Sequence, residues 1–326
     1  MQLILLLCLF LLSPNVFTRR LTNEENRRLK KTCGADRLKM GRHTLKSMHG
    51  EKVEINMFPW VAALFAEGAC SAVQISSRHI LTAAHCFRVR KDPKMVTKTL
   101  YAATPPEDIT VYVSSSCVRP QFCPGRAKFT ITQPPHMHEG YNPCTDENDL
   151  ALIELDSDIP TEIGTPICMR ENEKLAQKLT SVGYGFDPNH PDPKPLHWLQ
   201  KVDFHSDDVQ ESDTRITASH RTKSTCMGDS GGPLVQLNHK NKYVLVGIVS
   251  GGIPECSETI TEEQRNILPR ESYFTNLRGH LDWICTHTGV CPIQQMGSHH
   301  DEGSFSKEHI SIEIGVIEGK PKVTSK

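Results

Sequence analysis

The sequence predicts an all-β fold, a barrel or a sandwich, and three observations lead there. From Phe58 onward the apolar residues fall in short runs, continuous or alternating, such as Ser71 to Ile75, Ile109 to Val113, Ala151 to Leu155, Thr180 to Tyr184 and Tyr243 to Ser250. Glycine, proline and polar turn residues separate these runs, and no sustained helical periodicity interrupts them. At 326 residues and 37% hydrophobic composition, the chain can build one large domain or two modest ones with proper cores.

The segments follow in order. Leu3 to Leu12 is an apolar run ending near Ser13-Pro14, too short to span a bilayer and placed where a secretion signal belongs. Residues 1–18 are read as that leader, although no Lys or Arg follows Met1 and the cleavage pattern around Val16-Phe17-Thr18 is poor. Residues 19–46 are strongly charged, helix-compatible around Asn23 to Lys31, and show little apolar periodicity to bury, so they read as a propeptide-like segment. The strand-rich region follows over 47–290. Within it, Cys117 to Cys144 carries Pro124-Gly125 and Gln133-Pro134-Pro135 and reads as loop rather than strand. His136-Met137-His138-Glu139 in that loop suggests metal ligands, but no further ligand stands at metal-site spacing, so an exposed polar loop and no metal are expected. Residues 292–326 are polar and mixed in charge, the composition of a flexible tail.

Charge and cysteine usage bound the surroundings. A net charge of −1 steers the chain towards neither nucleic acid nor membrane. Twelve cysteines with no Cys-x-x-Cys pair argue an oxidising, extracellular compartment. Loss of Cys8 with the leader leaves an odd number, so one thiol stays free or bonds to another chain. No cofactor is expected.

The chemistry centres on Cys226-Met227-Gly228-Asp229-Ser230-Gly231-Gly232-Pro233-Leu234. A serine set among glycines suits a nucleophile whose own backbone must also bind an anion, with the N–H groups of Gly228 and Ser230 as the donors. His85, in Leu81-Thr82-Ala83-Ala84-His85-Cys86, follows a strand-like piece. Asp149 is followed by the apolar run Leu150-Ala151-Leu152-Ile153, whereas Asp146 and Asp156 read as solvated turn residues.

These three motifs, in the order His, Asp, Ser, resemble the chymotrypsin-like (trypsin-family) serine peptidases over about Ser47 to Ile284. The lead segment and the departures below also look like a divergent trypsin-related family of secreted nematode proteins. The resemblance implies two antiparallel six-stranded β-barrels, over about 47–165 and 166–290, with the site between them and a short closing helix around Leu281-Asp282-Trp283-Ile284. It implies His85 as general base, Asp149 as its orienting partner and Ser230 as nucleophile. It further implies disulfides Cys70 with Cys86, Cys226 with Cys256, and a tether Cys33 with Cys168; Cys117, Cys123, Cys144, Cys285 and Cys291 are left open.

By the same resemblance, Ser224 forms the floor of the pocket for the residue before the scissile bond, Ser250 and Gly252 belong to the segment that pairs with substrate backbone, and Ser272 narrows the pocket. Family members that cleave after Arg or Lys carry a carboxylate where Ser224 stands, so an uncharged, shallow pocket and a different preference follow. Activation in the family needs a new amino terminus that pairs with Asp229. Here the junction is Lys46-Ser47, with Ser47 in place of the usual isoleucine, which removes about 1.5 to 3 kcal/mol of apolar burial. The leading expectation is a secreted endopeptidase made as a zymogen, meeting protein or peptide substrates, an activating protease and protease inhibitors. The alternative is a weak or inactive homologue serving as an extracellular binding or regulatory protein.

Overall fold

The computed structural model describes residues 19–35, 45–47, 50–52, 57–90, 101–115, 127–131, 133–171, 173–186, 198–253, 256 and 269–292. The leader, the tail beyond 292, Cys117, Cys123 and most of the acidic stretch Glu255 to Glu263 lie outside them.

Helix α1 (Asn23–Thr32) comes first. Thr22 and Glu25 form a reciprocal capping box, Glu24 and Glu25 sit in the first turn, and Lys30 and Lys31 in the last, each matching the helix dipole. Strands β1 (Leu45–Ser47) and β2 (Gly50–Lys52) pair as a hairpin. The first half of the body then runs β3 (Val61–Phe65), β4 (Ala69–Gln74), β5 (His79–Thr82), β6 (Arg88–Arg90), β7 (Tyr101–Ala103), β8 (Thr110–Val113), β9 (Ala127–Phe129), β10 (His136–Met137) and β11 (Ala151–Glu154). The second runs β12 (Cys168–Met169), β13 (Lys178–Gly183), β14 (Gln200–His205), β15 (Val209–Glu211), β16 (Arg215–His220), β17 (Pro233–Leu237), β18 (Tyr243–Ile253) and β19 (Arg270–Asn276), closed by helix α2 (Leu281–Thr288).

Two curled antiparallel sheets result, as the sequence predicts. One is seven-stranded, in the order β10-β11-β5-β4-β3-β8-β9. The other is ten-stranded, in the order β1-β2-β14-β13-β17-β18-β19-β16-β15 with β12 beside β18. They exceed six strands because the two-residue β10 extends the first, and the short pieces β1, β2, β12 and β15 extend the second.

One apolar core runs under both sheets, with Trp60, Leu64, Leu81 and Leu152 from the first and Tyr184, Leu245 and Ile248 from the second. Phe58 packs edge-on against Trp60 and Tyr243, ring centres 5.8 and 5.5 Å apart. The buried Tyr184 hydroxyl donates to the Ser115 carbonyl at 2.8 Å and so ties one half to the other.

The lead segment departs from the expectation of little to bury. Leu21 and Leu29 pack on the core, and Cys33 is buried and bonded to Cys168. Leu21 N–H donates to the Thr288 carbonyl at 2.8 Å, and the Asn26 side chain exchanges hydrogen bonds with the Cys291 backbone. Two leucines and one disulfide suffice where periodicity is too weak to register. Cys285 bonds to Cys291, while Cys144 is free and exposed.

Candidate active site

His85 lies in a 3₁₀ turn (Ala84–Phe87) that directly follows β5, and the Cys70–Cys86 disulfide anchors that turn to β4. Asp149 precedes β11, which pairs with β5, so the two side chains meet across neighbouring strands. The Asp149 carboxylate is wholly buried. It accepts from His85 Nδ1 at 2.6 Å and from the His85 backbone N–H at 2.9 Å. Ser250 Oγ donates to the same carboxylate at 2.7 Å. Burial alone would raise the Asp149 pKa; the His85 charge and these hydrogen bonds outweigh it and hold the acid below its ordinary value. Burial would likewise lower His85, but the Asp149 carboxylate more than offsets it and lifts the imidazole above its ordinary value. Asp146 lies in a turn but is half-buried, and burial raises its pKa; Asp156 lies in a bend, occupied by Thr130 and Ser157.

Ser230 is brought to this pair by its backbone. Its carbonyl accepts from the Ser71 N–H of β4 at 2.8 Å and lies 3.8 Å from Cys86 Sγ, the neighbour of His85. Gly228 takes φ 101° and Gly231 φ 79°, values that side chains rarely adopt. A Cβ on Gly231 would also run into Thr82 Oγ1 and the Ser71 carbonyl. The N–H groups of Asp229, Gly231 and Gly232 are taken by the carbonyls of Cys226, Val249 and Asp229. Among the described residues, the N–H groups of Gly228 and Ser230 meet no acceptor.

Ser71 is a residue that the sequence reading missed. Its buried hydroxyl donates to the Gly228 carbonyl at 2.8 Å and accepts from Tyr184 N–H at 2.9 Å. It thereby pins the Gly228–Ser230 turn from both of its ends. Nothing local marks it, because its partners come from three distant segments.

Asp229 is part-buried, its carboxylate accepting from Gly185 N–H at 2.7 Å and from Cys226 N–H at 2.9 Å. Burial pushes its pKa up to about 6, against the two backbone bonds that lower it. Lys46 and Ser47 stand in β1, the outermost strand of the ten-stranded sheet, where Lys46 faces Glu51 and Ser47 faces Gly50.

The pocket residues also gather. Ser224 and Ser272 are buried, and Ser272 Oγ accepts from Thr225 N–H at 2.9 Å. Gly252 pairs in register with Ser272, while beside Gly251 a Cβ would meet open space. Buried Arg270, two residues before Ser272 on the same face of β19, brings its guanidinium to 3.4 Å from Ser224 Oγ. The stretch His136 to Glu139 is not a free loop: β10 pairs with β11, and His136 lies against Trp283 of α2.

Comparison with known proteins gives the family. The chain is similar to mouse (Mus musculus) transmembrane protease serine 11E, 26% identical over 278 residues that cover 79% of this chain and 58% of that protein. It is similar to rat (Rattus norvegicus) transmembrane protease serine 11G, 28% identical over 259 residues, 74% of this chain and 55% of that protein. Mouse mannan-binding lectin serine protease 1 is 27% identical over 260 residues, 74% of this chain and 35% of that protein. The chain thus spans little more than half, or less, of these relatives' own length. No described helix is long and apolar enough to cross a membrane. A sequence model of the family "Trypsin" matches residues 47–264, well over half of the chain, and the protein therefore belongs to the trypsin family of chymotrypsin-like serine peptidases.

Proposed function

We propose that the protein is a secreted serine endopeptidase that hydrolyses peptide bonds through an acyl-enzyme on Ser230. The observation that carries this reading is the bond from His85 to the buried Asp149 carboxylate, together with a Gly228–Ser230 turn whose own N–H groups at Gly228 and Ser230 are unengaged. A carboxylate only accepts, so the 2.6 Å bond fixes the proton on His85 Nδ1 and leaves the Nε2 lone pair to take the Ser230 proton. Attack by Ser230 Oγ on the carbonyl carbon moves charge onto the carbonyl oxygen, and the N–H groups of Gly228 and Ser230 receive it. His85 then gives its proton to the leaving amine. Water, deprotonated by the same imidazole, releases the acyl group.

The chain is a zymogen in this reading, cleaved between Lys46 and Ser47 so that the new amine pairs with Asp229. The Cys33–Cys168 bond keeps the lead segment attached after cleavage. Arginine and lysine are poor substrates before the scissile bond, because Ser224 offers no carboxylate to pair with a buried cation.

The test is labelling by a fluorophosphonate probe before and after limited cleavage at Lys46, with Ser230→Ala as control and N-terminal sequencing alongside. Labelling that needs Ser230 and follows exposure of Ser47 is expected. Confirmed cleavage without labelling would sink the peptidase reading in favour of a binding or regulatory protein that keeps the fold.

A further inference from the structure

Away from the catalytic cleft, three donor atoms from distant parts of the chain converge on one point. His136 Nε2 of β10 and His287 Nε2 of α2 stand 3.3 Å apart. Glu139 Oε1, from the turn after β10, is 2.9 Å from the first and 3.7 Å from the second. A triangle with those sides has a centre about 1.9 Å from each corner, so an ion at zinc's usual ~2.0 to 2.2 Å from nitrogen or oxygen would sit just off its plane. That position leaves a fourth coordination direction open on the solvent side, where the Glu139 side chain is 62% exposed.

Hydrogen bonding alone serves this arrangement poorly. Glu139 Oε1 can only accept, and each neutral imidazole nitrogen offers either one proton or one lone pair. His136 Nε2 lies within reach of both other atoms, and a single N–H cannot point along both lines. A shared cation satisfies all three at once. The surroundings also hold the ligands still: the other Glu139 oxygen accepts from Trp283 Nε1 at 2.8 Å, and the Trp283 ring stacks on His136. Supporting bonds of this kind orient ligands in metal sites. The other cluster of possible donors, Cys70, His85 and Cys86, has both sulfurs committed to a disulfide and offers no thiolate.

We propose that His136, Glu139 and His287 bind a divalent transition metal of the zinc class. The ion would clamp the C-terminal helix to the strand that pairs with β11, just beyond Asp149. Two nitrogens and one carboxylate oxygen with an open position suit zinc better than calcium or magnesium, which prefer all-oxygen shells.

Metal binding at these three side chains does not depend on peptidase activity. Calorimetric titration of the full-length, uncleaved chain with Zn²⁺ in a non-chelating buffer is expected to show one site per chain. Co²⁺ in its place should give the strong visible absorption of a four-coordinate ion. His287→Gln and Glu139→Gln should each weaken that site at least tenfold, and zinc should raise the melting temperature of the parent chain but not of either variant. Melting of the metal-free variants checks their fold, and if His287→Gln is unstable, the exposed Glu139→Gln decides alone. No zinc uptake by the parent chain, or uptake by folded Glu139→Gln that matches it, would overturn the proposal.

Discussion

Asp229→Asn isolates the cost of keeping one carboxylate in the interior. The carboxyl is raised from its ordinary 3.8 to about 6, chiefly by burial. A group raised on folding gives its full contribution below the unfolded pKa and loses it as the pH climbs through the folded one. The uncleaved chain should therefore lose stability between about pH 4 and 6. Two pKa units at 1.36 kcal/mol each amount to about 3 kcal/mol. Asparagine keeps the bond from Gly185 N–H but turns an amide group towards the Cys226 N–H, a cost of about 1 to 3 kcal/mol that does not change with pH. Urea unfolding of both uncleaved chains, disulfides intact, at pH values from 4 to 7 gives the difference, in which all other titrations cancel. Wild type minus variant should fall by about 3 kcal/mol across that range. After cleavage, pairing with the Ser47 amine should abolish the fall. A difference constant to within about 0.5 kcal/mol in the uncleaved chain would refute the reasoning, since the carboxylate would then be solvated in both states.

Two further outcomes bear on the site. Ser71→Ala leaves the Gly228 carbonyl and the Tyr184 N–H without their bonds to its hydroxyl; it should cost about 1 to 3 kcal/mol in thermal melting and lower kcat about tenfold with KM little changed. In the cleaved enzyme, activity should rise with pH as His85 loses its proton. Because Asp149 holds that imidazole above its ordinary value, the midpoint of kcat/KM should lie above 6.5 and move to lower pH in Asp149→Asn.

Much of this was legible in the chain itself, for physical reasons that differ by element. The runs Ile109 to Val113 and Ala151 to Leu155 stand out because both faces of β8 and β11 are largely apolar, and both become buried strands. His85, Asp149 and Ser230 are legible because each sits in a local motif set by its own turn or strand. Strands β14 and β16 escape notice: Gln200–His205 and Arg215–His220 carry charged and hydroxyl residues on partly exposed faces. Ser71, Arg270 and His287 are illegible for another reason. Their roles arise from partners such as Gly228, 157 residues from Ser71, or His136, 151 residues from His287. A hydroxyl, a guanidinium or a lone imidazole carries no sign of such a partner in its own neighbourhood.

The docking of α1 also bears on how the molecule is made. Cys33 and Cys168 are separated by 135 residues, and Asn26 and Cys291 by 265. At ~5 to 20 residues per second, Cys33 waits about 7 to 27 seconds for its partner to be synthesised. Cys70 and Cys86, only 16 apart, emerge in the interval and compete for it. Any early bond from Cys33 to one of them would have to be exchanged before Cys168 could take its place, and the helix reaches its final seat only after the chain carrying Thr288 and Cys291 has been delivered.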